Sequence, residues 1–341
     1  MTSPQSPFDV PFDKLPNPKQ VWVGTPGSSE EGLGKLALLT PEVVINAAKE
    51  IKTGRRVTLG WEMTKLELAN LNRHPCQHHI ISLLNGLAFD DVYVFNPRSL
   101  SLTNSTQEQS SQWDGLRHFS QQVPATEDKP PHRVFYGGTT PAEVLDRSTD
   151  RIGMQHWARA GITGRGVLID YASWAQERGI TYTTFSTHQI RLRDILEIAK
   201  ECNITFQKGD ILFIRIGITH EWDCVMSDQQ KREYSLNPNP EHAGVEATTS
   251  MLRWLWDCGF CAVAGDAISW EVYPPECPDL FLHEYLLAGW GMPIGEFAAK
   301  ENIVMMRSPI NLALAASRFG CELTWIAPRR AFRPRRTRAD L

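Results

Sequence analysis

The sequence predicts an α/β domain, and three observations point to it. Apolar runs of strand length, Val167-Leu168-Ile169-Asp170, Ile211-Leu212-Phe213-Ile214-Arg215-Ile216-Gly217 and Cys261-Ala262-Val263-Ala264-Gly265-Asp266, alternate with amphipathic helical stretches near 187–202 and 245–256. No helix-rich half is set apart from a strand-rich half, so the interleaving reads as one domain. The 341 residues are 42% hydrophobic, enough apolar material for a sizeable core.

Taken in order, residues 1–20 carry five Pro among polar residues and read as a loose lead segment. Thr40-Pro41-Glu42 is a helix start, with Thr as N-cap, Pro in the first turn and an acid beside it. Val44, Ala47, Ala48 and Ile51 give that helix its apolar face, and Gly54 ends it. Val57, Leu59 and Trp61 alternate as a half-buried strand. His74, Cys76, His78 and His79 read as the polar start of a helix running through Ile80 to Leu84, and Val92 to Phe95 as a short strand. Residues 97–111, 120–133 and 218–243 read as long polar loops, the last holding His220 and His242. The stretch from Phe260 to Ala264 is a buried strand next to Cys258-x-x-Cys261, and nothing nearby offers a second Cys or His pair for structural zinc. His283 through Gly291 is a short helix stopped by glycines, followed by a turn into an extended segment at Glu296.

Composition excludes several functions. A net charge of −4 gives no general attraction to nucleic acid or an anionic membrane. No apolar stretch approaches the roughly 20 residues that span a bilayer. No basic and apolar leader opens the chain, and the seven scattered Cys suit reduced thiols, so a cytoplasmic protein is expected. The Asn104-Ser105-Thr106 sequon is then idle. Walker-type and dinucleotide glycine motifs, a Gly-x-Ser-x-Gly elbow and internal repeats are all absent.

The chemistry concentrates in Gln107 to Phe119, which packs Glu, Gln, Asp and His into one polar stretch. Carboxylate, imidazole and amide oxygen are metal donors. Asp114 and His118 would share a face of a helical turn, while Gln112 and Asp114 would share a face of an extended strand. The stretch is too polar for a core strand, and a surface loop with one capping Asp is the plainer reading. A second donor pair far downstream, His283 and Glu296, argues against that.

Together these segments resemble the metal-dependent cyclase family, which includes bacterial kynurenine formamidase and isatin hydrolase. The resemblance runs from about Leu36 to Asn311. It rests on Leu38-Leu39-Thr40-Pro41-Glu42-Val43, Gln112-Trp113-Asp114-Gly115-Leu116-Arg117-His118, Gly164 to Asp170, Gly209-Asp210-Ile211-Leu212, and His283 through Glu296. The Gln-Trp-Asp-Gly motif and the Leu286-Leu287-Ala288-Gly289-Trp290-Gly291-Met292-Pro293-Ile294-Gly295-Glu296 block look most like a fungal-type branch. Such a resemblance implies a swivelling β/β/α fold, with a mixed sheet curled toward a barrel and flanked by helices. It divides the chain into a lead segment (1–35), one catalytic domain (36–327) and an Arg-rich tail (328–341).

The resemblance also implies a homo-oligomer that uses a divalent metal, manganese or zinc with magnesium third, on a small-molecule substrate. The family signature is His-x-Gly-Thr-His-x-Asp-x-x-x-His. Asp114 and His118 match its last two positions, Gln112 replaces a ligand His, and Glu108 stands where the other His would be. His283 and Glu296 match the downstream ligand pair. The expected activity is hydrolysis, or the reverse ring closure, at a C–N or C–O bond of an amide, imide or lactone. Asp114, His283, Glu296 and Gln112 would hold the metal, His118 would move the proton, and Trp113 and Trp290 would wall the substrate. The rival expectation is a metal-free binding paralogue of the same fold. Two departures stand out, an insertion at Pro97 to Thr106 and an unusual C-terminus from about Phe319.

Overall fold

Four parallel strands form the centre of the molecule, and the inner two are apolar nearly throughout. The computed structural model describes residues 6–52, 54–62, 65, 77–83, 88–94, 110–127, 129–298, 311–316 and 323–327. In chain order the strands are β1 (Arg55–Thr58), β2 (Gln77–Leu83), β3 (Ala88–Val94), β4 (Gln112–Asp114), β5 (Gln121–Val123), β6 (His132–Val134), β7 (Thr163–Asp170), β8 (Gln189–Ile190), β9 (Ile211–Arg215), β10 (Gly244–Val245), β11 (Ala262–Gly265), β12 (Ile294–Glu296), β13 (Asn311–Ala316) and β14 (Leu323–Ala327). Eight of them make one mixed sheet in the order β1-β14-β13-β7-β9-β11-β12-β4. β7, β9, β11 and β12 run parallel, whereas β13, β14, β1 and β4 join antiparallel. The central strands are buried on both faces, which is why they read as unbroken apolar runs.

Helices cover the sheet. The Pro41–Ala48 helix starts where the sequence places it, with the Thr40 hydroxyl accepting from the Val43 N–H. The Leu192–Glu201 helix buries Ile195, Ile198 and Ala199, and the Thr249–Asp257 helix buries Met251, Leu252, Leu255 and Trp256. Among the described residues no helix is long and apolar enough to cross a membrane.

Several segments differ from the sequence reading. Ile80 to Leu83 is strand, not helix, because Gln77–Leu83 pairs antiparallel along its whole length with Ala88–Val94. That partner is rich in β-formers, and pairing overrides the weak local period. The polar loop 120–133 holds most of the β5–β6 hairpin, and 218–243, expected as a loop, is largely helical, with turns at Ile218–His220 and Glu221–Val225 and a helix at Asp228–Leu236. Residues 6–18 are not loose, because Phe8 and Phe12 are buried. They are tied down by Trp256 Nε1 donating to the Val10 carbonyl and the Phe12 N–H donating to Asp257. Beneath them Lys35 is enclosed by Phe8, Trp256 and Trp290, with its Nζ 4.3 Å from the Trp256 ring centre. Burial pushes its pKa down to about 7, and the ring faces replace part of the lost hydration. Burial also raises the Cys258 thiol to about 11 and the Cys261 thiol further, so neither is a ready thiolate. His74, Cys76, the Asn104 sequon, Glu108, the Pro97 to Thr106 insertion and the Arg-rich tail lie outside the described residues.

Candidate active site

The polar stretch is a strand after all. β4 sits at the edge of the sheet and pairs with β12 in the register Gln112↔Glu296, Trp113↔Gly295 and Asp114↔Ile294. All three of its residues are buried. A strand this polar can be buried because its side chains satisfy one another across the pair. Gln112 Nε2 donates to Glu296 Oε2 at 2.7 Å and lies 3.5 Å from Asp114 Oδ1. Ser111, just before β4, locks the seam. Its hydroxyl accepts from the Trp61 N–H at 2.6 Å and donates to the Phe297 carbonyl at 2.6 Å.

With side chains alternating along a strand, Gln112 and Asp114 project to one face and Trp113 to the other. After Asp114 the chain turns, with the His118 N–H donating to the Gly115 carbonyl at 2.9 Å. The turn folds the His118 ring back over the strand, Nε2 3.7 Å from Asp114 Oδ2. His283 caps the turn of π-helix at Glu284–Gly289 and reaches the same carboxylate from the far end of the sequence. Its Nε2 lies 3.6 Å from Asp114 Oδ2 and 3.9 Å from Glu296 Oε1, while its Nδ1 lies 2.5 Å from Glu271 Oε1. Donor atoms of Asp114, His118 and His283 all fall within 4.8 Å of one another. The structure thus brings Gln112, Asp114, His118, His283 and Glu296 to one point.

Trp113 and Trp290 are not at that point. Trp113 faces away, its ring against Gly295. Trp290 is fully buried among Phe12, Trp256 and Tyr285, and its Nε1 donates to the Pro18 carbonyl at 2.7 Å. A Trp beside a motif in sequence is carried elsewhere by strand alternation or by its own hydrogen bond. The rings beside the imidazoles are the half-buried Phe119 and Phe281. Phe119 lies 5.2 Å from the His283 ring and 6.2 Å from Phe281. Phe119 was visible as the end of the polar stretch, whereas Phe281 and Glu271 carry no motif of their own.

The donor set fits a divalent cation. Asp114, Glu271 and Glu296 are carboxylates at most 4% exposed, and grouping buried carboxylates is costly without a compensating positive charge. Burial opposes a charge on His283, but Asp114 and Glu271 outweigh it and hold its pKa up at about 10. Gln112 Oε1 is buried and accepts no hydrogen bond among the described residues, although Nε2 of the same amide is engaged. An amide oxygen left in that state beside carboxylates and imidazoles is a donor suited to a metal ion.

A family model described as "Putative cyclase" matches residues 74–272. The chain belongs to the cyclase family. Among solved structures, a crystal structure of a novel cyclase aligns with a TM-score of 0.67 at 20% identity, covering 88% of this chain and 95% of that one. An isatin hydrolase bound to the product analogue thioisatinate aligns with a TM-score of 0.51 at 11% identity, covering 84% and 99%. Isatin hydrolase A from Ralstonia solanacearum gives 0.50 at 11%, covering 84% and 97%. At these identities they show that the helix-flanked mixed sheet is the fold of cyclase-family proteins. No curated protein sequence matches the chain.

Proposed function

We propose that this cyclase-family chain is a metal-dependent hydrolase, or a cyclase running the reverse reaction, acting at a C–N or C–O bond of an amide, imide or lactone. The observation that carries the reading is the convergence of Gln112, Asp114 and His118 with His283 and Glu296, including a direct hydrogen bond between residues 184 apart in sequence. Asp114, His283 and Glu296 would hold the metal, with Gln112 Oε1 as a further, neutral donor. A divalent ion bound there lowers the pKa of water and polarises a carbonyl. His118 is the more exposed of the two imidazoles, at 18% against 8%. It is placed to take the proton from the attacking water and deliver it to the leaving nitrogen or oxygen. Phe119 and Phe281 offer an apolar flank for the acyl group. Family membership and the isatin hydrolases that share the fold support hydrolysis of a small molecule.

One observation favours the metal-free alternative. The Gln112 NH₂ group binds Glu296 and approaches Asp114, a partial substitute for a cation. Metal analysis paired with turnover separates the two. The purified protein is expected to carry stoichiometric manganese or zinc, and to hydrolyse members of a formamide, imide and lactone panel. Chelation should abolish that turnover, and added metal should restore it. Protein that neither retains nor takes up a divalent metal, and is inert on the panel, would establish the alternative.

Gln112 makes the site oxygen-rich, which tilts preference from zinc toward manganese or magnesium. Gln112→His is therefore expected to tighten zinc binding relative to manganese. Titrating both ions into both proteins checks this, and equal or poorer zinc affinity in the variant would remove Gln112 from the ligand set.

A further inference from the structure

We infer that Glu271 is a positioning residue that aims the His283 imidazole at the metal site; the inference rests on the functional reading above. Glu271 grips His283 in more than one place. Its Oε1 lies 2.5 Å from His283 Nδ1 and accepts the His283 backbone N–H at 3.0 Å, while Oε2 accepts the Leu282 N–H at 2.5 Å. One carboxylate thus fixes both the start of the π-helical turn and the ring that the turn presents. With the Nδ1 proton donated to Glu271, the nitrogen left to face Asp114 and Glu296 is Nε2. A metal-binding imidazole is commonly oriented and made more basic by such a carboxylate.

Glu271 is itself held with little freedom. Ser269 Oγ donates to the Glu271 carbonyl at 2.8 Å and lies 2.7 Å from His242 Nε2, and His242 Nδ1 lies 3.3 Å from the Tyr234 hydroxyl. The backbone approaches just as closely. A Cβ on Gly244 would fall 2.1 Å from the Glu271 carbonyl carbon, so this peptide is seated against a residue that must lack a side chain. The 218–243 segment is thereby linked to Glu271 through His242 and Ser269. Glu271 is 2% exposed, and its carboxylate engages the Leu282 and His283 backbone N–H groups and the His283 ring.

The test titrates Mn²⁺ and Co²⁺ into the metal-stripped full-length wild type and into Glu271→Gln and Glu271→Ala. Glu271→Gln keeps one acceptor oxygen, turns the other end into an NH₂ donor and loses the charge. It is expected to fold, to bind Mn²⁺ about 10–100-fold more weakly, and to shift the visible absorption of bound Co²⁺. Glu271→Ala should bind more weakly still; should it fail to fold, Glu271→Gln decides alone. A folded Glu271→Gln protein with the wild-type Mn²⁺ affinity and Co²⁺ spectrum would overturn the inference and leave the functional reading standing. A wild type that binds neither ion would overturn both.

Discussion

Asp114→Ala is expected to remove both metal binding and turnover. Asp114 is the hub of the cluster. Its Oδ2 lies 3.7 Å from His118 and 3.6 Å from His283, and its Oδ1 lies 3.5 Å from the Gln112 amide. Losing it would take away a proposed ligand that faces both imidazoles and the Gln112 amide. Removing one partner of a buried charged pair also destabilises the fold, so circular dichroism first establishes that the variant is folded. Isothermal titration with Mn²⁺, alongside turnover on the active member of the substrate panel, checks both halves. Retained stoichiometric metal in a folded Asp114→Ala protein would move the ligand set away from β4.

His118→Ala is expected to lower kcat by about 10²–10⁴-fold while sparing most of the metal, the range typical for loss of a general acid–base group. The basis is position. His118 enters from a turn on the more exposed side, whereas His283 is buried and tied to Glu271. The same metal titration serves as the control, since His118 Nε2 is also within reach of a shared ion. Equal loss of metal in His118→Ala and Asp114→Ala would make His118 a ligand and leave the proton carrier to be found elsewhere.

The parallel centre of the fold was legible because β9 and β11 are buried along their whole length, and their sequences, with that of the second half of β7, are apolar runs. β4 was not, for the opposite physical reason. Gln112 and Asp114 are buried by pairing with Glu296 and the imidazoles, so polarity there marks a site and not a surface. The donors themselves could be read from residue type and spacing. Glu271 could not, since it stands between Trp270 and Val272 and its partner lies 12 residues on, at no motif spacing. Trp113 and Trp290 show the limit of adjacency, because a neighbour in sequence along a strand points the opposite way.

The seam between β4 and β12 has a further consequence. A shift of pairing by one residue would turn Gln112 and Asp114 into the interior and swing Trp113 into the pocket. What forbids that shift is Gly295, opposite Trp113. A Cβ there would fall 2.8 Å from the Ala264 Cβ and 3.3 Å from Trp113 Cζ3, so the indole and the glycine form a keyed joint. The register of the candidate site thus depends on two residues that contribute no donor to it. A substitution at Gly295 would therefore leave every donor unchanged and still misalign Gln112, Asp114 and Glu296.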